Sequence, residues 1–183
     1  MQTDTLIIGC GIAGATAALK LATDSQRQVV VLTRAEDPID SNSEYAQGGI
    51  VGRGIDDNAD LLAEDILNAG AGLSYPPAVQ LLAEEGPRLL EEVLIKDCDL
   101  AFDQDPTGQL IFGLEAAHSR RRILHIGDAT GKAIMQALLR KIAEKPNITL
   151  LTGYTVVDLI TFPHHAKDPL TVYQPITCHG AYA

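Results

Sequence analysis

The stretch Leu6-Ile7-Ile8-Gly9-Cys10-Gly11-Ile12-Ala13-Gly14 decides how the chain is read. Leu6 to Ile8 is a short apolar run that suits a strand of a parallel sheet buried on both faces. Gly9-x-Gly11-x-x-Gly14 follows at once, and Ala15-Thr16-Ala17-Ala18-Leu19-Lys20-Leu21-Ala22 continues it with good helix formers. In such a turn Gly9 permits the bend, Gly11 lets backbone approach a pyrophosphate, and Gly14 lets the helix lie close to the strand. The helix N-terminus offers N–H groups and a partial positive charge to the phosphates. With Val29-Val30-Val31-Leu32 as a second strand at the expected distance, these residues predict a dinucleotide-binding turn. Cys10, Ile12 and Ala13 lie between the glycines and join Gly9, Gly11 and Gly14 as cofactor-binding candidates.

The rest of the composition fits that reading. A chain of 183 residues, 46% hydrophobic and 21% charged, matches one domain with a real core. A net charge of −10 argues against nucleic acid or an anionic membrane as partner. Cys10, Cys98 and Cys178 form no CxxC pair and no metal-ligand spacing, so a reducing cytoplasm is expected. No apolar run reaches the roughly 18 residues of a membrane span, and Met1-Gln2-Thr3-Asp4 lacks the basic start of a signal peptide.

Thr33-Arg34 closes the second strand where such folds usually carry Asp or Glu for the adenosine ribose. Three readings stand together here: Thr33 bonds a ribose hydroxyl and Arg34 a phosphate, Arg34 holds the 2′-phosphate of NADP, or Arg34 is a solvated charge at a strand end. Further on, Asp40-Ser41-Asn42-Ser43-Glu44-Tyr45-Ala46-Gln47-Gly48-Gly49-Ile50 is a polar loop ending in a glycine pair. It can turn several backbone N–H groups toward one ligand, with side-chain donors from Asn42, Ser43 and Gln47. A plain surface turn has the same composition.

Together, the glycine turn and Tyr45-Ala46-Gln47-Gly48-Gly49-Ile50 resemble the succinate dehydrogenase/fumarate reductase flavoprotein family. Asn68-Ala69-Gly70-Ala71-Gly72-Leu73 and Glu115-Ala116-Ala117-His118-Ser119-Arg120-Arg121-Arg122 through Gly131 fit its L-aspartate oxidase branch. The resemblance implies FAD as cofactor, with Thr33, Arg34, Asn42, Ser43, Tyr45, Ala46, Gln47, Gly48, Gly49 and backbone near Val157 among its contacts. Dehydrogenases of the family attach the flavin through a histidine five residues before the glutamine of the Ala-Gln-Gly-Gly block. Asn42 stands there, so the flavin is expected to be non-covalent. The resemblance also makes Glu115 the residue that meets the substrate amino group, although Ala116 and Ala117 replace two glycines whose backbone can require positive φ. It implies oxidation of L-aspartate to iminoaspartate, with oxygen or fumarate as acceptor, feeding quinolinate and NAD synthesis beside quinolinate synthase. The alternatives are a fumarate reductase or succinate dehydrogenase flavoprotein and a non-catalytic nucleotide-binding Rossmann domain.

The remaining segments are read as architecture. Asn58 or Asp60 caps a helix through Leu67, a second runs from Pro77 to about Glu85, Gly86-Pro87 breaks it, and Arg88 to Lys96 resumes. Asp97 to Gly108 reads as a solvated acidic loop with no metal. Asp128 or Thr130 starts a helix whose apolar face is Ile134, Leu138, Leu139 and Ile142. Ile148 to Leu151 is the third parallel strand, and Thr155–Thr161 with Leu170–Thr177 makes a β-meander whose turn carries a solvent-facing His164-His165. The expected fold is α/β, a Rossmann-like FAD-binding fold with a parallel sheet, helices and a meander, incomplete at the C-terminus. Residues 1–183 are expected to be the N-terminal part of the FAD-binding domain. The acid/base arginine would then lie beyond this chain, in a capping domain that precedes a C-terminal helical domain.

Overall fold

In the computed structural model the elements, in chain order, are β1 (Thr5–Ile8), α1 (Ile12–Leu21), β2 (Val29–Leu32), β3 (Ile50–Val51), α2 (Ala59–Ala69) and α3 (Pro76–Leu89). After a π-helical segment (Leu90–Asp97) come β4 (Ile123–Leu124), α4 (Thr130–Ala143), β5 (Ile148–Leu151) and β6 (Asp158–Phe162). A 3-10 turn (Pro169–Tyr173) then leads to β7 (Thr177–Tyr182). The structure describes residues 1–183, except the side chains of Thr171 and Val172. Two units are distinguished: Met1–Ser41 with Leu139–Ala183, and Asn42–Leu138.

The first unit is the predicted parallel sheet, in the order β1-β2-β5. Its registers pair Ile7 with Val31 and Val31 with Leu150. The β-branched run Val29 to Val31 and Leu32 are all buried, which suits the central strand. The expectation that β1 is buried on both faces is corrected. Among the described residues β1 pairs with β2 alone, and as an edge strand it leaves Ile8 51% exposed. Helix α1 packs through the small residues Ala15 and Ala18, both fully buried. Asn147 ties the α1–β2 connection to the start of β5, the two N–H donors of its Nδ2 shared among the carbonyls of Ala22, Asp24 and Arg27 at 3.2, 3.1 and 3.0 Å.

The hairpin is also shifted from its expected place. Strand β6 pairs with β7, Phe162 opposite Thr177 and Asp158 opposite Tyr182, with a register shift at Ile160/Thr161. Pro169–Tyr173 is a 3-10 turn where the alternation of Leu170–Thr177 suggested a strand, although the side chains of Thr171 and Val172 lie outside the described residues. Backbone pairing with β6, absent from the alternation argument, selects the later frame. His165 sits in the intervening turn, with its Nδ1 3.0 Å from the Thr161 carbonyl oxygen.

In the second unit α2 and α3 enclose Leu62, Ala63, Val79 and Ala83, with Val51, Ala59 and Ile66 packed alongside. Asn58 caps α2 as expected, its Oδ1 accepting from the Leu61 N–H at 2.9 Å. Gly86-Pro87 does not break α3, which runs on to Leu89 and passes into the π-helical segment. A proline within a helix orphans the carbonyl four residues back. Here that carbonyl belongs to Ala83, and Arg53 Nη2 donates to it at 2.6 Å. Helix α4 starts at Thr130, whose hydroxyl accepts from the Ile126 N–H at 3.0 Å. Ile134, Leu138 and Ile142 are buried on its apolar face, as read from the sequence, and Leu139 is half-buried. Among the described residues no helix is long and apolar enough to cross a membrane.

Candidate functional site

The glycine turn lies between β1 and α1. Gly9 takes φ +99°, a conformation costly for any residue with a side chain, and its N–H donates to the Leu32 carbonyl at 2.7 Å. Gly11 occupies the N-cap of α1 in an extended conformation, and the first helical bond runs from the Ala15 N–H to the Gly11 carbonyl at 2.9 Å. No side chain caps the helix, and its first turn contains no acid. The Ala13 and Gly14 N–H groups therefore have no acceptor within the helix and no carboxylate in their own turn to compete with an anion. A Cβ on Gly14 would stand 2.0 Å from the Gly9 oxygen, so glycine alone allows this closeness of helix and strand. Cys10 is buried, and burial pushes its thiol up, away from thiolate reactivity. Ile12 and Ala13 form the opening of α1.

Thr33 follows β2 directly, buried, with its N–H on the Leu151 carbonyl at 2.9 Å and its own carbonyl accepting from Tyr154 at 3.0 Å. Arg34 beside it is exposed. The structure thus brings Gly9–Gly14 and Thr33-Arg34 to the carboxyl ends of adjacent parallel strands, the usual place for a ligand in such sheets. Val157 precedes β6, its side chain 75% exposed and its N–H bonded to the Tyr182 carbonyl at 2.9 Å.

Within the second unit the Asn42–Gly49 loop is clamped at both ends. A Cβ on Gly131 would meet the Ser43 oxygen at 2.0 Å, and the Gly131 N–H donates to the Ala46 carbonyl at 2.9 Å. At the other end Gly49 has φ +81°, and a Cβ there would meet Ile123 Cγ2 and the Leu124 oxygen at 2.6 Å. Strands β3 and β4 pair immediately beyond it. Asn42, Tyr45, Ala46, Gln47 and Gly48 are exposed between the clamps, and Ser43 is half-buried. Gly131 was legible only as part of a motif; its contact with Ser43 required the structure.

Glu115 lies on a turn closed by the His118 N–H donating to the Glu115 carbonyl at 3.2 Å. Its carboxylate is 46% exposed, with Oε1 3.9 Å from His125 Nε2. Ala117 takes φ +67°, so the left-handed conformation persists where alanine stands for glycine. That conformation costs an L-residue roughly 1–2 kcal/mol, partly offset by the lower entropy of alanine in the unfolded chain. Ala117→Gly is expected to stabilise the fold by about 0.5–1 kcal/mol, read as a rise in thermal midpoint. An unchanged or lowered midpoint would show that the turn is not strained.

The arginine triplet separates into two environments. Arg120 and Arg121 are exposed, whereas Arg122 is completely buried. Its Nε and Nη2 pair with both Asp57 oxygens at 3.0 and 2.8 Å, and its Nη1 reaches Asp65 Oδ2 at 2.5 Å. Asp65 Oδ2 also accepts from the Ser119 N–H and hydroxyl at 2.8 and 3.0 Å. Burial alone would raise the Asp65 carboxyl, but the Ser119 N–H and Arg122 outweigh it and hold the group below the usual carboxylate range. Asp57, Asp65 and Arg122 were missed as a set. The available signal was Asp65 lying three residues after Leu62, on the buried face of α2.

Residues 4–183 match the family described as FAD binding domain. The chain belongs to this FAD-binding domain family. Its cofactor is FAD, and the residues present fit that group: the acid-free start of α1 is open to a diphosphate beside the glycine turn. An L-aspartate oxidase of Agrobacterium fabrum is 41% identical over 159 residues, covering 86% of this chain and 30% of the relative. L-aspartate oxidase 1 of Ralstonia nicotianae is 36% identical over 185 residues, covering 100% of this chain and 33% of the relative. The chain therefore spans about a third of the length of the curated relatives it matches. Among solved structures, a quinol fumarate reductase chain of E. coli superposes with TM-score 0.81 at 21% identity, over 87% of this chain and 27% of its own. The Sdh1 complex of Mycobacterium smegmatis gives 0.78 at 23%, over 86% and 29%. These two bear out the Rossmann-like flavoprotein fold, and the curated relatives bear out the resemblance to the L-aspartate oxidase branch.

Proposed function

We propose that this FAD-binding chain serves a cytoplasmic L-aspartate oxidase, whose capping domain, with the acid/base arginine, and C-terminal helical domain lie outside residues 1–183. The observation that carries the reading is Glu115, a half-exposed carboxylate on a turn within a segment matched by relatives named L-aspartate oxidase. A carboxylate at that point suits an α-ammonium, which a plain dicarboxylate lacks. Gly9 to Gly14 and Thr33-Arg34 would hold the diphosphate and ribose of FAD, and Asn42 to Gly49 the flavin end. Asn42 has no nucleophilic ring nitrogen, so the cofactor is held without a covalent bond. Bound flavin supplies the two-electron acceptor for conversion of L-aspartate to iminoaspartate, with oxygen or fumarate as final acceptor. The unstable product suits direct use by quinolinate synthase.

Expressed from its complete reading frame, the protein should carry yellow flavin that acid precipitation releases into the supernatant. It should form peroxide from L-aspartate in air and consume fumarate in its absence. Flavin remaining with the pellet would overturn the non-covalent assignment. Oxidation of succinate in place of L-aspartate would overturn the substrate.

A further inference from the structure

The turn that carries Glu115 is anchored at its trailing end by the buried acid–arginine cluster. Arg122 Nη1 contacts both Asp65 and, at 3.1 Å, His118 Nδ1. Ser119, the next residue, holds Asp65 through its N–H and its hydroxyl. A guanidinium only donates, so His118 Nδ1 must be the accepting nitrogen and Nε2 carries the ring proton. The cluster is nearly charge-balanced: Asp57 and Asp65 face Arg122, and Arg53 Nη1 lies 3.9 Å from Asp57. With Asp57 and Asp65 both engaged, Arg122 is held in one orientation, and through it one tautomer of His118.

We propose that Arg122 is a positioning residue for substrate recognition: clamped by Asp57 and Asp65, it fixes His118 as an Nε2–H donor on the turn that carries Glu115. The turn then offers an acceptor for an ammonium and a donor for a carboxylate, the pairing an α-amino acid requires and a simple dicarboxylate does not. This rests on the L-aspartate oxidase reading.

The test compares wild type, Arg122→Lys and Ser119→Ala, each expressed from the complete reading frame. Lysine keeps the charge but loses the two-pronged hold on Asp57, and Ser119→Ala removes one anchor at an exposed position, guarding against failure to fold. Long-range 1H–15N spectra of histidine-labelled wild type should show His118 as the Nε2–H tautomer, and Arg122→Lys should mix the two tautomers. In flavin-loaded enzyme both variants should raise KM for L-aspartate about tenfold or more, while fumarate reduction driven by a reduced viologen dye changes less than about threefold. A wild-type Nδ1–H tautomer would overturn the proposal, as would unchanged KM in both variants or parallel losses with both substrates. Wild type that shows the expected tautomer but does not oxidise L-aspartate would overturn the oxidase reading, and with it the recognition role, while leaving the Arg122–His118 contact established.

Discussion

Gly14→Ala is expected to abolish flavin retention. The added Cβ would lie 2.0 Å from the Gly9 oxygen, 3.1 Å from its carbonyl carbon and 3.3 Å from Ile7 Cγ2. Two of these are backbone atoms of the glycine turn itself, so no side-chain rotation relieves the clash. Restoring ordinary contact of 3.4 Å requires an opening of about 1.4 Å between α1 and the turn, and overpacking of this kind costs typically about 1–3 kcal/mol. Ala15 and Ala18 have no exposed surface, so the helix cannot slide without disturbing its packing. The N–H groups of its first turn move with it, away from any diphosphate they would bind. The check is flavin absorbance after gel filtration, with a thermal melt alongside. Ala17→Gly, at an exposed position of the same helix, should lower stability by about 0.5–1 kcal/mol and keep the flavin. Stoichiometric flavin in Gly14→Ala would show that the turn is not the diphosphate site.

What the sequence disclosed about this fold follows the range of the interactions involved. The glycine turn, the buried Val29–Leu32 strand and the Asn58 cap are each decided within a few residues, and each was readable. Helix α3 was not, because the donor that satisfies the carbonyl orphaned by Pro87 comes from Arg53, 30 residues before Ala83. The same limit applies to Arg120-Arg121-Arg122, three identical residues of which one is buried. Its partners Asp57 and Asp65 are 65 and 57 residues away in sequence, and no local pattern selects it. At the hairpin, alternation favoured Leu170–Thr177, while Cys178-His179-Gly180-Ala181-Tyr182 carries little strand signal yet pairs with β6. The glycine turn was more legible than the framework behind Glu115. Its glycines are spaced by local geometry, whereas the buried cluster is assembled by tertiary packing.

That framework makes Glu115 separable from the fold, and Glu115→Gln is expected to be selective. The carboxylate is 46% exposed, with His125 Nε2 at 3.9 Å. An exposed pair of that kind is worth about 0–1 kcal/mol, so the nearly isosteric amide should leave the thermal midpoint within a few degrees. The turn is held by backbone and by Ser119 and His118, not by the Glu115 side chain. Removing a charge-assisted bond to a substrate ammonium costs about 1.5–3 kcal/mol, roughly 10- to 150-fold in kcat/KM. The loss should fall on L-aspartate oxidation and leave fumarate reduction driven by a reduced viologen dye largely intact, because fumarate has no ammonium for Glu115 to meet. Steady-state kinetics with both substrates, normalised to bound flavin, decide the matter. Equal losses would make Glu115 a structural residue of its turn, and unchanged kinetics would place ammonium recognition elsewhere.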